Sequence, residues 1–174
     1  VLKEYCNEKG IDFFSTPYSV NSVDMLEELS VGLYKTASAD LVDLVLHERI
    51  AKTNKPVIIS VGMGTIDEIE ETVSIYKKAK SNNIILLHCV SNYPCTYESI
   101  NIKAMVELRK KFSCIVGFSD HSIDNTASVS AVSLGARVIE KHFTLDKTLQ
   151  GPDHCVSANP NEFSSLVSEL SLSF

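Results

Sequence analysis

Short apolar runs alternate along the chain with segments of helical periodicity. The apolar runs are rich in β-branched and aromatic residues and lie near residues 12–16, 32–38, 56–62, 83–90, 114–120 and 137–144. The segments between them predict helices, among them Asp40–Thr53, Tyr97–Phe112 and Asp124–Leu134. Six strands that alternate with helices predict a parallel α/β architecture.

Local signals fix the ends of two of the predicted helices. One helix begins at Thr65, because Glu68 three residues later completes a capping-box pattern. Its last turn carries Lys77 and Lys78, where positive charge suits the helix dipole. Gly135 follows the segment Asp124–Leu134 at the position where a glycine commonly ends a helix.

Each predicted strand ends in side chains that can take part in chemistry. In chain order these are Ser15 and Thr16; Lys35, Ser38 and Asp40; Ser60; His88 and Ser91; Ser119, Asp120 and His121; and Glu140, Lys141 and His142. Parallel α/β folds place their sites at the carboxyl ends of the strands. A doubly wound sheet uses only a few strand ends, so polar groups at all six favour a (β/α) barrel.

Strand alternation divides the last two polar groups between two faces. Side chains two residues apart share a face, so Ser119 and His121 point together and Asp120 points away. Glu140 and His142 likewise share a face. Two imidazoles on neighbouring strands predict a divalent-metal site with open positions. Alternatively, each histidine is a hydrogen-bonded spacer, and Asp120 pairs with Lys141 or bonds the turn backbone.

Several other polar residues keep more than one interpretation. Lys35 could bind a phosphate or carboxylate, form a Schiff base, or be a solvated surface lysine. Asp40 could be a site carboxylate, but composition favours the N-cap of the following helix. His88 lies in an apolar run and fits a core histidine as well as a functional one. His47 lies among helix charges and is not assigned a role.

Composition narrows the class of protein. The chain has 174 residues, 44% hydrophobic and 22% charged, which suits one globular domain. Its net charge of −6 and lack of a basic stripe argue against nucleic acid as a partner.

The cysteines, the apolar runs and the first residues suggest the cellular compartment of the protein and whether the sequence is a fragment. Five scattered cysteines predict reduced thiols in a cytoplasm, not a disulfide framework or a zinc site. No apolar run is long enough to span a membrane, and we expect no signal peptide. The chain opens without Met inside a helical pattern, so we expect a fragment.

A series of short motifs runs along essentially the whole chain: FFSTPYS, YKTASAD, VIISVGM, LLHCVSNYP, GFSDHS, EKHFTLD and GPDH. In this order and spacing the motifs resemble the catalytic barrel of the N-acetylneuraminate (sialic acid) synthase family. The resemblance implies a (β/α)8 TIM barrel, of which residues 1–174 would supply about strands 3–8. It also implies a transferase that condenses phosphoenolpyruvate with an N-acetylated aldose and water. With N-acetylmannosamine as acceptor, the products would be N-acetylneuraminate and phosphate, formed by C–O cleavage.

The resemblance also implies roles for individual residues. His121 and His142 match the metal ligands, with Mn²⁺ preferred to Mg²⁺ on these imidazoles. Asp40 matches an acidic position that handles protons and, with His142, is a candidate catalytic residue. The remaining matches bind substrate: Lys35, Ser38, Ser60, Ser91 and Ser119 for phosphoenolpyruvate, and Tyr93 and Asp153 for the acceptor sugar. On this interpretation Lys35 is an electrostatic anchor and not a Schiff base.

The departures from the family pattern lead to further expectations. Judged by the family pattern, we expect the chain to lack two N-terminal barrel strands with a catalytic glutamate, and a C-terminal antifreeze-like domain that the family uses in a homodimer. We therefore expect residues 1–174 alone to be inactive or poorly folded. Three alternatives stay open: a legionaminic or pseudaminic acid synthase, a Schiff-base aldolase using Lys35 or Lys141, and a non-catalytic sugar-binding or assembly module.

Overall fold

The computed structural model describes residues 1–81 and 83–172, which form five strands and eight α-helices. The strands are β1 (Tyr34–Thr36), β2 (Val57–Ser60), β3 (Ile84–Cys89), β4 (Ile115–Asp120) and β5 (Ile139–Lys141). The helices are α1 (Leu2–Lys9), α2 (Val20–Glu28), α3 (Leu44–Ala51), α4 (Ile66–Lys78), α5 (Tyr97–Ile100), α6 (Lys103–Phe112), α7 (Thr126–Ser133) and α8 (Pro160–Leu172). Two 3₁₀ turns span Ser38–Asp40 and His154–Val156.

The strands form one sheet whose order, β1-β2-β3-β4-β5, follows the chain. β1 pairs parallel with β2, with Lys35 opposite Ile58, and β4 pairs parallel with β5, with Ser119 opposite Glu140. The parallel α/β class expected from the sequence is therefore confirmed. Closure into an eight-stranded barrel stays a prediction.

The chain divides into two compact units, Val1–Ile85 and Leu86–Phe174, so that β3 begins in the first and ends in the second. In the first unit, β1 and β2 are buried along their whole length, and helices α3 and α4 pack against each other. The predicted capping box is present: Glu68 N donates to Thr65 Oγ1 at 3.3 Å, and Thr65 N donates to Glu68 Oε2 at 2.7 Å. This cap fixes the start of α4 after the loop that follows β2.

In the second unit, α6 and α7 pack against β4. Gly117 in β4 allows a close approach of neighbouring groups, because a Cβ there would lie 2.3 Å from Val138 O and 2.6 Å from a Leu87 methyl carbon. The flanking side chains Val116 and Phe118 are buried. β4 is thus held on both faces, and its polar end is fixed in position.

The structure corrects three expectations about elements. Residues 12–16 have no regular secondary structure, and Phe14 there is 40% exposed, so the segment gains little from burial. The single helix expected over Tyr97–Phe112 is two helices, because Asn101 adopts the left-handed conformation (φ 44°) between α5 and α6. The helix expected from Asp40 begins only at Leu44.

Other expectations agree with the structure or stay untested. Gly135 follows α7 with φ 100°, as expected for a residue that ends a helix. Within the described residues, no helix is both long and apolar enough to cross a membrane. The assignment of residues 1–174 to one partial barrel domain stays a prediction.

Candidate functional site

A buried lysine lies at the carboxyl ends of β1 and β2. Lys35 is 8% exposed, and its Nζ donates to Ser60 Oγ at 2.7 Å and to the Thr36 carbonyl at 2.9 Å. Lys35 is therefore not the solvated surface lysine that the sequence left possible.

Ser38 follows β1 in the first 3₁₀ turn and faces the loop after β2. Its Oγ accepts a hydrogen bond from Gly62 N at 3.1 Å. This contact ties the two loops that follow neighbouring parallel strands. The three residues expected to act together therefore lie at or just after the carboxyl ends of β1 and β2: Lys35, Ser38 and Ser60.

Asp40 ends the same 3₁₀ turn, and it does not cap a helix. The cap of α3 is Asp43, whose side chain accepts from Leu46 N at 3.0 Å, so the N-cap expectation for Asp40 is wrong. The physical reason is that the chain turns again after Asp40 before helical geometry begins. Asp40 Oδ2 is buried without a hydrogen-bond partner in the described part of the chain, and burial raises the pKa of this carboxyl. A backbone hydrogen bond at Ala37 lowers the pKa in opposition, Asp43 raises it further, and Lys35 has the smallest opposing effect.

His121 follows β4 with a defined tautomer. Its Nδ1 lies 2.7 Å from the Val90 carbonyl, which can only accept, so Nδ1 carries the proton. Burial lowers the pKa of His121, which favours the neutral ring. Its Nε2 lies 3.3 Å from Ser119 Oγ, but Ser119 donates its single proton to Glu140 Oε1 at 2.6 Å. The Nε2 lone pair of His121 is therefore left for a cation or a proton.

Three rings meet beside this nitrogen. The ring centroids of His121 and His142 are 5.4 Å apart, and Tyr93 lies 4.2 Å from His121 and 5.4 Å from His142. Burial raises the pKa of the Tyr93 hydroxyl, and nearby Cys89 and Asp153 raise it further. His142 Nδ1 lies 3.6 Å from Asp153 Oδ2. The structure thus brings together Tyr93, Ser119, His121, His142 and Asp153 in the second unit.

Glu140 belongs to this group, although the sequence pattern did not predict a role for it. It lies opposite Ser119 in the β4–β5 register and accepts the Ser119 hydroxyl proton. The signal that could have found it was its shared strand face with His142. Ser91, in contrast, is exposed in the loop two residues after β3.

The alternative interpretations of three residues are also decided by geometry. Asp120 pairs with Lys141 at 3.1 Å and accepts from the turn at Ser122 N, as the sequence allowed. His88 is a buried core histidine with Nε2 2.7 Å from the Ile100 carbonyl. Lys141 is committed to an ion pair, which does not suit a Schiff-base nucleophile.

The donor set fits a divalent cation with two protein ligands. Within the part of the chain that the structure describes, no group of three or more His, Cys, Asp or Glu side chains is arranged to hold a metal ion. A cation bound by His121 and His142 would therefore take its other ligands from water or substrate. An imidazole whose second nitrogen bonds a carbonyl is the usual form of a ligating histidine.

Comparison with known proteins supports the parallel α/β fold of this chain. N,N'-diacetyllegionaminic acid synthase of Campylobacter jejuni is 45% identical over 95% of this chain and 49% of the relative. Pseudaminic acid synthase of Helicobacter pylori is 40% identical over 95% of this chain and 49% of the relative. The crystal structure of N-acetylneuraminic acid synthetase from Leptospira borgpetersenii, 44% identical, superposes with a TM-score of 0.95 over 99% of this chain and 60% of that chain.

Fold and strand-end residues define a parallel α/β protein similar to sugar acid synthases. The NeuB family model matches residues 1–173, and the chain belongs to the NeuB family. The chain spans about half the length of the curated relatives it matches. The resemblance seen in the sequence motifs is confirmed.

Proposed function

We propose that the protein containing this chain condenses phosphoenolpyruvate with an N-acetylated aldose and releases phosphate. N-acetylmannosamine is the first candidate acceptor, which would give N-acetylneuraminate. The observation that carries the proposal is His121: its Nδ1 proton is held by Val90 O, and its Nε2 lone pair is available beside His142 and Tyr93. The names of the family relatives support a synthase reaction.

Phosphoenolpyruvate carries a carboxylate and a phosphate, which call for a cation and hydroxyl donors. Lys35 supplies a buried ammonium next to the Ser60 hydroxyl, and Ser38 adds a second hydroxyl in the same unit. The sequence resemblance adds Ser91 and Ser119 as further candidate donors. Lys35 then acts as an electrostatic anchor for the substrate anion.

The acceptor aldehyde calls for activation and orientation. A divalent cation held by His121 and His142, Mn²⁺ before Mg²⁺, would supply polarisation of the open-chain aldehyde. Tyr93 covers His121 and is 45% exposed, so its hydroxyl can orient a bound sugar. Asp153 contacts the His142 ring and orients both that ring and the acceptor.

The proposed bond changes balance without a redox partner. C3 of phosphoenolpyruvate forms a bond to the aldehyde carbon, and the aldehyde oxygen takes a proton. Water adds at C2, and the tetrahedral intermediate loses phosphate as the C2–O bond breaks, which leaves the 2-keto acid. Asp40 holds or releases a proton at Oδ2, where burial favours the protonated form. His142 contributes as the catalytic imidazole that faces the acceptor.

A second candidate acceptor is the sugar of legionaminic or pseudaminic acid synthesis. The similarity to N,N'-diacetyllegionaminic acid synthase favours an acceptor with two acetamido groups. Both candidates share the phosphoenolpyruvate chemistry and differ only in the sugar. An acceptor panel therefore separates them without changing the proposed reaction class.

The test is phosphate release by the full-length protein with Mn²⁺, phosphoenolpyruvate and each acceptor. We expect turnover that EDTA abolishes and Mn²⁺ restores, with a nine-carbon 2-keto acid identified by mass spectrometry. Borohydride treatment with pyruvate should trap no adduct. Turnover that survives EDTA, or a trapped adduct on Lys35, would contradict the proposal.

Replacement of Lys35 tests the anion site. Lys35→Met should raise the KM for phosphoenolpyruvate about 10–100-fold, because a hydrogen bond to a charged group is lost. Lys55→Met is the matched control, since Lys55 pairs with Glu27 away from these strand ends and its loss should leave KM unchanged. An unchanged KM in Lys35→Met would remove Lys35 from the substrate site.

A further inference from the structure

A buried ion pair lies behind the candidate metal ligands, on the opposite face of the strands. Asp120 and Lys141 are 3.1 Å apart, with side chains 0% and 2% exposed. Asp120 separates Ser119 from His121 in sequence, and Lys141 separates Glu140 from His142. Each member of the ion pair is therefore the direct sequence neighbour of a candidate metal ligand whose side chain points to the other face.

The pair is part of a closed hydrogen-bond network. Lys141 Nζ also donates to the carbonyls of Ser122 at 2.8 Å and Asp124 at 2.9 Å. Asp120 Oδ1 accepts from Ser122 N at 2.8 Å and Ser122 Oγ at 2.7 Å, and Oδ2 accepts from Ser128 Oγ at 2.5 Å. The network joins β4, β5, the turn after β4 and helix α7.

Register and parity connect this network to the other face. Asp120 lies opposite Lys141, and Ser119 lies opposite Glu140, in the parallel β4–β5 pair. A shift of one residue in the β4–β5 register would move every side chain of the shifted strand to the other face. A charged side chain of the ion pair would then occupy the position of a histidine ring. Burying two charges adds little net stability, and such pairs are best attested as devices that fix register.

We propose that Asp120 and Lys141 are positioning residues that set the separation and orientation of His121 and His142. This inference rests on the proposed cation site of those two histidines. Neither residue touches substrate or cation in this scheme. Their network holds the strand ends so that both imidazoles face the same cation.

The test uses the full-length protein and the double variant Asp120→Asn/Lys141→Met, which removes both charges and leaves no buried charge without a partner. Calorimetric titration with Mn²⁺ alone should show binding weakened about 10–100-fold, the usual effect of losing groups that orient metal ligands. In the metal-free protein, histidine ¹⁵N NMR should show that His121 no longer holds one tautomer. Lys147→Met, which breaks the partly exposed pair with Glu162, is the control and should change neither readout.

The two readouts separate this inference from the proposed function. A wild-type protein that binds no Mn²⁺ would overturn the cation site, while the tautomer signal would still test positioning. A folded double variant with wild-type Mn²⁺ affinity and an unchanged His121 tautomer would overturn the inference. If the double variant does not fold, Ser128→Ala decides, because it removes only one bond to Asp120. It should weaken Mn²⁺ binding measurably, and unchanged binding would overturn the inference.

Discussion

At the scale of single residues, Asp40 has surroundings that oppose its charged form. Its Oδ2 is buried without a partner in the described residues, and burial raises its pKa. Between the ordinary pKa of 3.8 and the raised value, the folded state binds more protons than the unfolded state, so stability falls as pH rises. Above that window the penalty is fully present. Keeping such a carboxylate is costly, which fits a functional group better than a structural one.

Asp40→Asn should therefore raise the unfolding temperature at neutral pH and lower kcat about 100-fold or more, because general acid–base groups contribute at least that factor. The gain in unfolding temperature should vanish at acidic pH, where Asp40 is protonated. Thermal unfolding from pH 4 to pH 8, with phosphate release at each pH, measures both effects. Asp43→Asn keeps a good helix cap and removes only a neighbouring charge, so it should raise the unfolding temperature less than Asp40→Asn and leave kcat near the wild-type value. A variant that is less stable at neutral pH, or fully active, would contradict the prediction.

The sequence predicted residue positions well where one strict periodicity decides them. The two-residue period of a strand was sufficient to put Ser119 and His121 on one face and Asp120 on the other. The role of Asp40 at the helix start was predicted wrongly, because Asp40 and Asp43 both suit a cap and only the turns between them decide. No role was predicted for Glu140, because its contact with Ser119 depends on the register between β4 and β5, and the sequence alone does not determine that register.

At the scale of elements, a buried polar pair joins helices α3 and α4. His47 is fully buried, and its Nδ1 lies 2.8 Å from the Tyr76 hydroxyl. Burial lowers the pKa of His47 to about 4, against an ordinary value of 6.5. Thr72, one turn before Tyr76, donates to the Leu41 carbonyl at 2.7 Å. Two turns of α4 therefore hold both α3 and the segment that leads out of the Ser38–Asp40 turn.

The lowered pKa of His47 predicts a loss of stability in mild acid. Between pH 6.5 and about 4 the unfolded state binds a proton that the folded state excludes, so stability falls as pH falls. The shift corresponds to a loss on the order of 3 kcal/mol across that window. The double variant His47→Phe/Tyr76→Phe leaves no polar atom of the pair without its partner. The slope of its unfolding free energy against pH should be smaller than that of the wild type by the uptake of one proton on unfolding.

Denaturant unfolding between pH 4 and pH 7 measures this difference. His88 and His121 also have lowered pKa values through burial, so the double variant should keep part of the wild-type slope. Tyr76→Phe alone is the matched control and should keep the full slope, because His47 still titrates. A double variant with the full wild-type slope would show that His47 does not carry this effect.

Elements with strong local signals were predictable, and elements that depend on partners were not. The capping box at Thr65 and the glycine after α7 gave correct helix ends, because these signals act within a few residues. Residues 12–16 have the composition of a strand, but strand assignment requires a hydrogen-bonded neighbour. His47 was set aside because a charged helix face and a buried polar contact have similar local sequences.

At the scale of the whole molecule, the parallel α/β class followed from the alternation of strands and helices. The proposed synthase function is harder to assign to this chain alone, because the chain spans about half the length of its curated relatives. β1 and β5 lie at the two ends of the sheet order in the described residues. Parallel strands are usually covered or paired on both sides, so such edges tend to find further partners. A homodimer, which the resemblance implied, stays a prediction.

Residues 1–174 expressed alone should therefore release no phosphate from phosphoenolpyruvate and acceptor with Mn²⁺, while the full-length protein does. The physical reason is that the reaction needs its groups held rigidly, and edge strands of a parallel sheet favour aggregation or fraying over a fixed site. Circular dichroism and gel filtration of the isolated chain separate two causes of inactivity. A folded, inactive chain means that groups outside it complete the chemistry, whereas an aggregated chain means that they complete the fold. Robust turnover by the isolated chain at equal protein concentration would contradict both and show that the residues described here suffice.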